Sequence, residues 1–272
     1  MPTLAPSPRR RTVRHETAID LLDGEIRRIA ELAADTSPST PVPGCGDWTL
    51  SDLIDHVGLI HLWVRTMVEK LTPERIDRRP MTSGMPEDWS AVPAWFSRNG
   101  AELVATLRAA DPESPMYSWA ADKHVSFWIR RMLHETTIHR TDAEAAAGVA
   151  SRIEPAVAVD AVDELLELLP YAAIFNPHIR DLRGDGETIH LHATDLDGGE
   201  LPSGDLNGEW LITLEPEGFR WSHAHVKGAA AVRGKAQDLA LFVYGRRKVG
   251  EPELEVLGDR SLLAYWSAKS AF

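Results

Sequence analysis

Cysteine is almost missing: the 272 residues contain one, Cys45. That excludes a disulfide framework and fits a reducing compartment. Long apolar runs are missing too. The longest, such as Leu168 to Phe175, fall well short of the roughly 20 residues that a membrane span requires. Positive charge is in deficit, with 29 Lys and Arg against 41 Asp and Glu, for a net charge of −12. A nucleic-acid backbone would be repelled overall, so nucleic acid is not the expected partner. A small anion is not excluded, because it needs only one local basic group. Arg9, Arg10 and Arg11 suggest a twin-arginine export signal, yet Thr12 to Arg28 mixes charges with leucines and has no apolar core. Secretion is therefore rejected, and the expected location is the cytoplasm, away from membranes.

What is present is an ordinary globular composition. Hydrophobic residues make up 43% and charged residues 26%, with no long block of one sign, which rules out wholesale disorder. The length is comfortable for two domains. No repeat or low-complexity segment interrupts it.

The two halves differ in period. In Glu16–Ala34, Ile19, Leu22, Ile26 and Ile29 recur at spacings of three and four, the mark of an amphipathic helix. After a loop rich in Pro, Gly and Ser, Thr49-Leu50-Ser51-Asp52 reads as a capping box with Asp in place of Glu. It opens a helix through Leu53, Val57, Ile60, Trp63, Val64 and Met67. A third helix is expected over about Ser90–Ala110 with Pro93 in its first turn. A fourth, Val125–Ala147, ends at Gly148, a left-handed cap. Residues 12–150 are thus expected to form an up-down four-helix bundle.

Residues 151–272 read as a small α+β domain with an antiparallel sheet. A helix over Val157–Leu169 is expected to stop at Pro170. Thr188–Ala193 alternates with period two, and Trp210–Leu214 and Phe219–Val226 flank the turn Pro216-Glu217-Gly218. Strands at Ala229–Arg233 and Leu254–Leu257 and helices at Gln237–Tyr244 and Arg260–Ala268 complete the domain.

Chemistry concentrates in Arg130 to Asp142. His134-Glu135 and His139 are one residue too far apart for the His-Glu-x-x-His of zinc proteases. Five residues on a helix separate two side chains by roughly 140°, so His134 and His139 do not share an ion. Glu135 and His139, at i and i+4, do share a face, and Trp128 and Met132 turn it toward the bundle interior. Taken alone, this helix favours an internal pairing of Glu135 with His139 or a nearby arginine. His56, inside the buried stripe of the second helix, shifts the balance. Two imidazoles and a carboxylate from facing helices suit zinc or a similar divalent ion, and three protein ligands leave a fourth position open.

Other residues carry weaker signals. His190/His192 and His223/His225 form His-x-His pairs on expected strands. A second metal site is compatible with that spacing, but a solvated or half-buried sheet face is the favoured reading. Cys45 has no base beside it and reads as structural or incidental. Arg246 and Arg247 follow a helix end, where basic residues are favoured by the dipole. One of them is a candidate for holding a substrate carboxylate, with Arg233 as second choice.

Cys45-Gly46-Asp47-Trp48-Thr49-Leu50-Ser51-Asp52-Leu53-Ile54-Asp55-His56 resembles the start of the second helix of mycothiol-dependent maleylpyruvate isomerases, which belong to the DinB-like metal-binding bundles. His134-Glu135-Thr136-Thr137-Ile138-His139-Arg140-Thr141-Asp142 resembles their fourth helix. Val232 to Leu239 and Tyr244-Gly245-Arg246 resemble their C-terminal domain, which is similar to sterol carrier proteins. Tyr244 replaces the family's usual Trp, and Tyr171–Arg180 departs from the family pattern. The resemblance implies zinc on His56, Glu135 and His139, a substrate-handling and catalytic arginine at Arg246, and mycothiol, the small thiol of actinobacteria, as co-substrate. It further implies an enzyme, monomeric or homodimeric, that adds a metal-activated thiolate to the electron-poor double bond of a small acid. The outcome is then cis–trans isomerisation, or S-transfer if the thiol stays attached. A hydrolase using metal-bound hydroxide and a non-catalytic binder of small ligands are the alternatives from other classes.

Overall fold

The computed structural model describes residues 13–196 and 208–270. The arginine cluster at residues 9–11 lies outside them. The chain divides into two compact units, His15–Arg152 and the residues from Ile153 on. No helix among the described residues is long and apolar enough to cross a membrane.

The first unit is a four-helix bundle of α1 (His15–Asp35), α2 (Leu50–Lys70), α3 (Val92–Ala109) and α4 (Val125–Ala146). The apolar stripe of α1 expected from spacing is buried at Ile19, Leu22, Ile26 and Ile29. Helix α2 opens with the capping box. The Asp52 backbone N–H donates to Thr49 Oγ1 at 3.4 Å and the Thr49 N–H to Asp52 Oδ2 at 2.8 Å, an arrangement that typically stabilises a helix start by about 1 kcal/mol. Pro93 sits in the first turn of α3, where its missing N–H leaves no bond unmade. The bundle has a finer order than a simple circuit: α1 and α2 each pack against both α3 and α4, so α1 sits across the bundle from α2, and α3 from α4.

Two contacts fix the helices closely. Gly58 of α2 faces Trp95 of α3, where a Cβ would approach a ring carbon to 2.3 Å, and Asn99 Nδ2 donates to the Gly58 carbonyl at 2.8 Å. On the other side, buried Arg140 of α4 donates to Glu25 of α1 at 2.5 Å and to Glu144 at 2.7 Å. Arg28 reaches Glu144 at 3.1 Å. A buried cation so paired holds α4 in one rotation against α1.

In the second unit, α5 (Pro155–Ala172) leads to a five-stranded sheet of β1 (Thr188–Ala193), β2 (Glu209–Glu215), β3 (Gly218–Ser222), β4 (Ala230–Gly234) and β5 (Glu255–Gly258). Helix α6 (Ala236–Val243) precedes β5, and α7 (Arg260–Ser270) follows it. The strand order is β3-β2-β1-β4-β5. Three sequence expectations need correction here. The sheet is mixed rather than wholly antiparallel, because β1 and β4 pair in parallel: the hairpin β2–β3 intervenes, and the chain re-enters the sheet on the far side of β1. Pro170 does not stop α5, which continues through Ala172; near the helix end only the bond to Leu166 is lost. The second hairpin strand ends at Ser222, so His223 and His225 lie beyond it. There the Glu209 carbonyl accepts the His223 ring Nδ1–H at 2.9 Å, occupying an acceptor at the start of β2. Ile189, Leu191 and Ala193 of β1 are buried as their alternation requires, with Trp210, Ile212 and Val232 beside them.

Candidate metal centre

Helix α2 supplies His56, and α4 supplies Glu135 and His139. Glu135 Oε1 lies 3.5 Å from His56 Nε2 and 3.4 Å from His139 Nε2, and all three donor atoms lie within 4.8 Å of one another. A tetrahedral ion with bonds of about 2.1 Å spaces its ligand atoms about 3.4 Å apart. Two of the three edges thus already have the length that zinc requires. The side chains of His56, Glu135 and His139 are 27%, 24% and 11% exposed, so two of the donors are half-buried and His139 is buried. The residue types and spacing fit a divalent ion.

The surroundings set the orientation of each donor. His139 Nδ1 contacts Asp142 Oδ2 at 2.9 Å. A proton on Nδ1 then leaves Nε2 as the ligating atom, the usual outer-shell device for a metal histidine. Arg131 Nη2 donates to Glu135 Oε2 at 3.1 Å, leaving Oε1 for the ion. Burial works against the charge on Glu135, but hydrogen bonds from His139 and His56 and the Arg131 guanidinium hold it well below the usual carboxylate range. Burial likewise opposes charge on His139, yet Asp142 and Glu135 push it up to about 9. An arriving cation therefore displaces a proton from His139.

The loop before α2 forms a wall. A short bridge pairs Pro41 with Thr49, the Val42 N–H donates to the Trp48 carbonyl at 2.9 Å, and the Leu50 N–H donates to the Thr40 carbonyl at 2.8 Å. So held, the Trp48 ring lies 4.9 Å from the His56 ring and stacks on His139 at 6.3 Å. The Cys45 donor comes within 4.8 Å of those of His139 and Asp142, beside the site that its sequence neighbours did not indicate. Asp142, Trp48 and Cys45 were not singled out for the site from sequence. Only Asp142, three residues after His139 on the same helix, carried a usable signal.

Of the other candidates, His134 is fully buried and is not among the groups gathered at this cluster. Arg246 and Arg233 belong to the second unit. Arg246 Nη1 donates to the Tyr244 carbonyl at 2.8 Å, and Arg233 Nη1 pairs with Glu255 at 2.8 Å. Arg247 is committed to Asp238, Glu251 and Glu253.

The model of the mycothiol maleylpyruvate isomerase N-terminal domain matches residues 19–144, and that of the corresponding C-terminal domain matches residues 156–265. The chain belongs to the mycothiol maleylpyruvate isomerase family. It is a family of enzymes, and its first domain has the DinB-like bundle. Among solved structures, the chain is similar to the mycothiol-dependent maleylpyruvate isomerase and to a histidine-to-alanine mutant of it. Each match has a TM-score of 0.59 and 13% identity, over 90% of this chain and 93% of the other. At that identity the likeness establishes a shared fold. No curated protein matches the sequence.

Proposed function

We propose that the chain is a metal- and mycothiol-dependent enzyme that isomerises the electron-poor double bond of a small acid of the maleylpyruvate type, with zinc on His56, Glu135 and His139. The observation that supports this reading most is the spacing of the three donors, with two edges of a tetrahedron already formed. Family membership supports the choice of thiol. A free thiol is only a few per cent ionised at neutral pH, and a bound divalent ion supplies the positive charge that favours the thiolate.

The chain's own residues do the rest. Asp142 fixes the His139 tautomer, Arg131 fixes the Glu135 rotamer, and Trp48 excludes water from the imidazole side of the site. The thiolate sulfur bonds to the β-carbon of the conjugated system, and the electron pair moves to the carbonyl oxygen. The former double bond is now single and rotates. The pair returns, the carbon–sulfur bond breaks, and the thiolate leaves with the double bond in trans geometry. For the cation that binds the substrate carboxylate, the sequence resemblance offers Arg246. Arg233, paired with Glu255, is the second choice.

The test is turnover of maleylpyruvate by the full chain, followed by ultraviolet absorbance with and without mycothiol. Turnover that requires the thiol and disappears with the bound metal in His56→Ala is expected, and Arg246→Ala raises KM. A product that retains the thiol by mass spectrometry makes the enzyme an S-transferase. Turnover indifferent to the thiol overturns the reading in favour of a hydrolase.

A further inference from the structure

Within the second unit, three imidazoles surround one carboxylate. His190 and His192 lie two residues apart on β1 and so project from the same face. Glu209, the first residue of β2, is the direct cross-strand partner of His192 and therefore shares that face. From beyond β3, His225 turns back onto the same group. Glu209 Oε2 lies 3.0 Å from His190 Nε2 and 2.6 Å from His225 Nδ1, and Glu209 Oε1 lies 3.3 Å from His192 Nδ1. The three rings are nearly equidistant, with centroids 6.0 Å, 6.1 Å and 6.0 Å apart.

A solvated sheet face does not account for this arrangement. A lone carboxylate on a strand needs one partner, and its usual pairing would be with a lysine or arginine. Here three histidines from two separate segments converge on it. His190 and Glu209 are largely buried, at 10% and 15% side-chain exposure, whereas His225 is 79% exposed and still folds back onto the carboxylate. The donor atoms of His190, His192 and Glu209 all lie within 4.8 Å of one another. The edges of a tetrahedral site are about 3.4 Å, and the contacts of Glu209 with the three imidazoles, at 2.6–3.3 Å, lie within 1 Å of that length. His223, anchored on the Glu209 carbonyl and 3.0 Å from Asp163 of α5, fixes the segment that delivers His225.

We propose that His190, His192, His225 and Glu209 form a second divalent transition-metal site, independent of the bundle centre. Three imidazoles and one carboxylate select zinc or a similar ion over magnesium and calcium, which prefer all-oxygen shells. Four protein ligands close the coordination sphere, the arrangement of a structural site. The ion ties β1, the start of β2 and the segment after β3 into one block.

The experiment uses the full chain without a histidine tag, stripped with chelator and carrying His56→Ala and Glu135→Ala so that the bundle centre is disabled. Equilibrium dialysis against Zn²⁺ with elemental analysis is expected to retain one ion per chain, unaffected by excess Mg²⁺. Co²⁺ is expected to give visible absorption in the same protein. His225→Ala, at an exposed position that leaves the fold intact by circular dichroism, weakens Zn²⁺ binding by about 100-fold or more, beyond the loss of an outer-shell partner. Glu209→Gln gives a comparable loss, and the ring resonances of His190, His192 and His225 shift together on adding Zn²⁺. Absence of a retained ion overturns the proposal. So does an affinity that His225→Ala and Glu209→Gln leave unchanged, or displacement of the zinc by Mg²⁺.

Discussion

Removing the carboxylate behind His139 is a sharp test of the proposed bundle centre, because Asp142 touches one of the three proposed ligands without itself being one of them. The contact is 2.9 Å long, and Asp142 is 1% exposed, so water does not readily replace it. A hydrogen bond to a charged group contributes about 1.5–3 kcal/mol. If that energy goes into holding Nε2 toward the ion, its loss corresponds to about 10–100-fold in metal affinity. Asp142→Ala removes the acceptor outright and is expected at the upper end. Asp142→Asn keeps an oxygen that accepts from Nδ1 but loses the charge, and is expected at the lower end. The assay is competition for Zn²⁺ against a chromophoric chelator at fixed pH, with circular dichroism confirming the fold. An affinity within about threefold of wild type for Asp142→Ala would refute the reasoning, since His139 would then be oriented without Asp142 or would not bind the ion.

Three further outcomes follow from the bundle. Gly58→Ala places a methyl against the Trp95 ring and is expected to destabilise by about 1–3 kcal/mol in urea unfolding, whereas Gly24→Ala, which meets nothing within 4 Å, is not. Arg140→Met leaves Glu25 and Glu144 partly unpaired and is expected to cost about 3–5 kcal/mol, measured in the same way. His61 is buried with Nε2 on Thr136 at 2.9 Å, and burial pushes its pKa down to about 3. The unfolded chain therefore takes up a proton near pH 6.5 that the folded chain refuses, so this contribution falls as the pH falls. Between pH 7 and pH 5 the wild type is expected to lose about 2 kcal/mol more stability than His61→Gln, and equal losses would contradict the burial argument.

What the sequence made legible was what the helix repeat encodes. The stripe of α1, the Thr49–Asp52 cap and the pairing of Glu135 with His139 all depend on residues within four positions of one another. Convergence of His56 on that pair was readable because both lie on inward faces of long helices. Sheet order was not readable, since periodicity says which face of β1 is buried but not that β4 runs parallel beside it. Trp48 and Cys45 lie in a loop whose path is set by backbone bonds between residues 40 and 50, for which residue type gives little signal. The second histidine pair escaped the strand reading for a related reason. His190 and His192 obey the strand period, but His223 and His225 lie past the end of the ladder, one turned toward Asp163 and the other toward Glu209.

The Pro41–Thr49 bridge has a consequence for how anything enters the bundle centre. Because both ends of that segment are stitched together, the indole beside the imidazoles acquires its place while the chain folds and not when a visitor arrives. This segment does not have to be ordered at each encounter, so that part of the entropic penalty is absent.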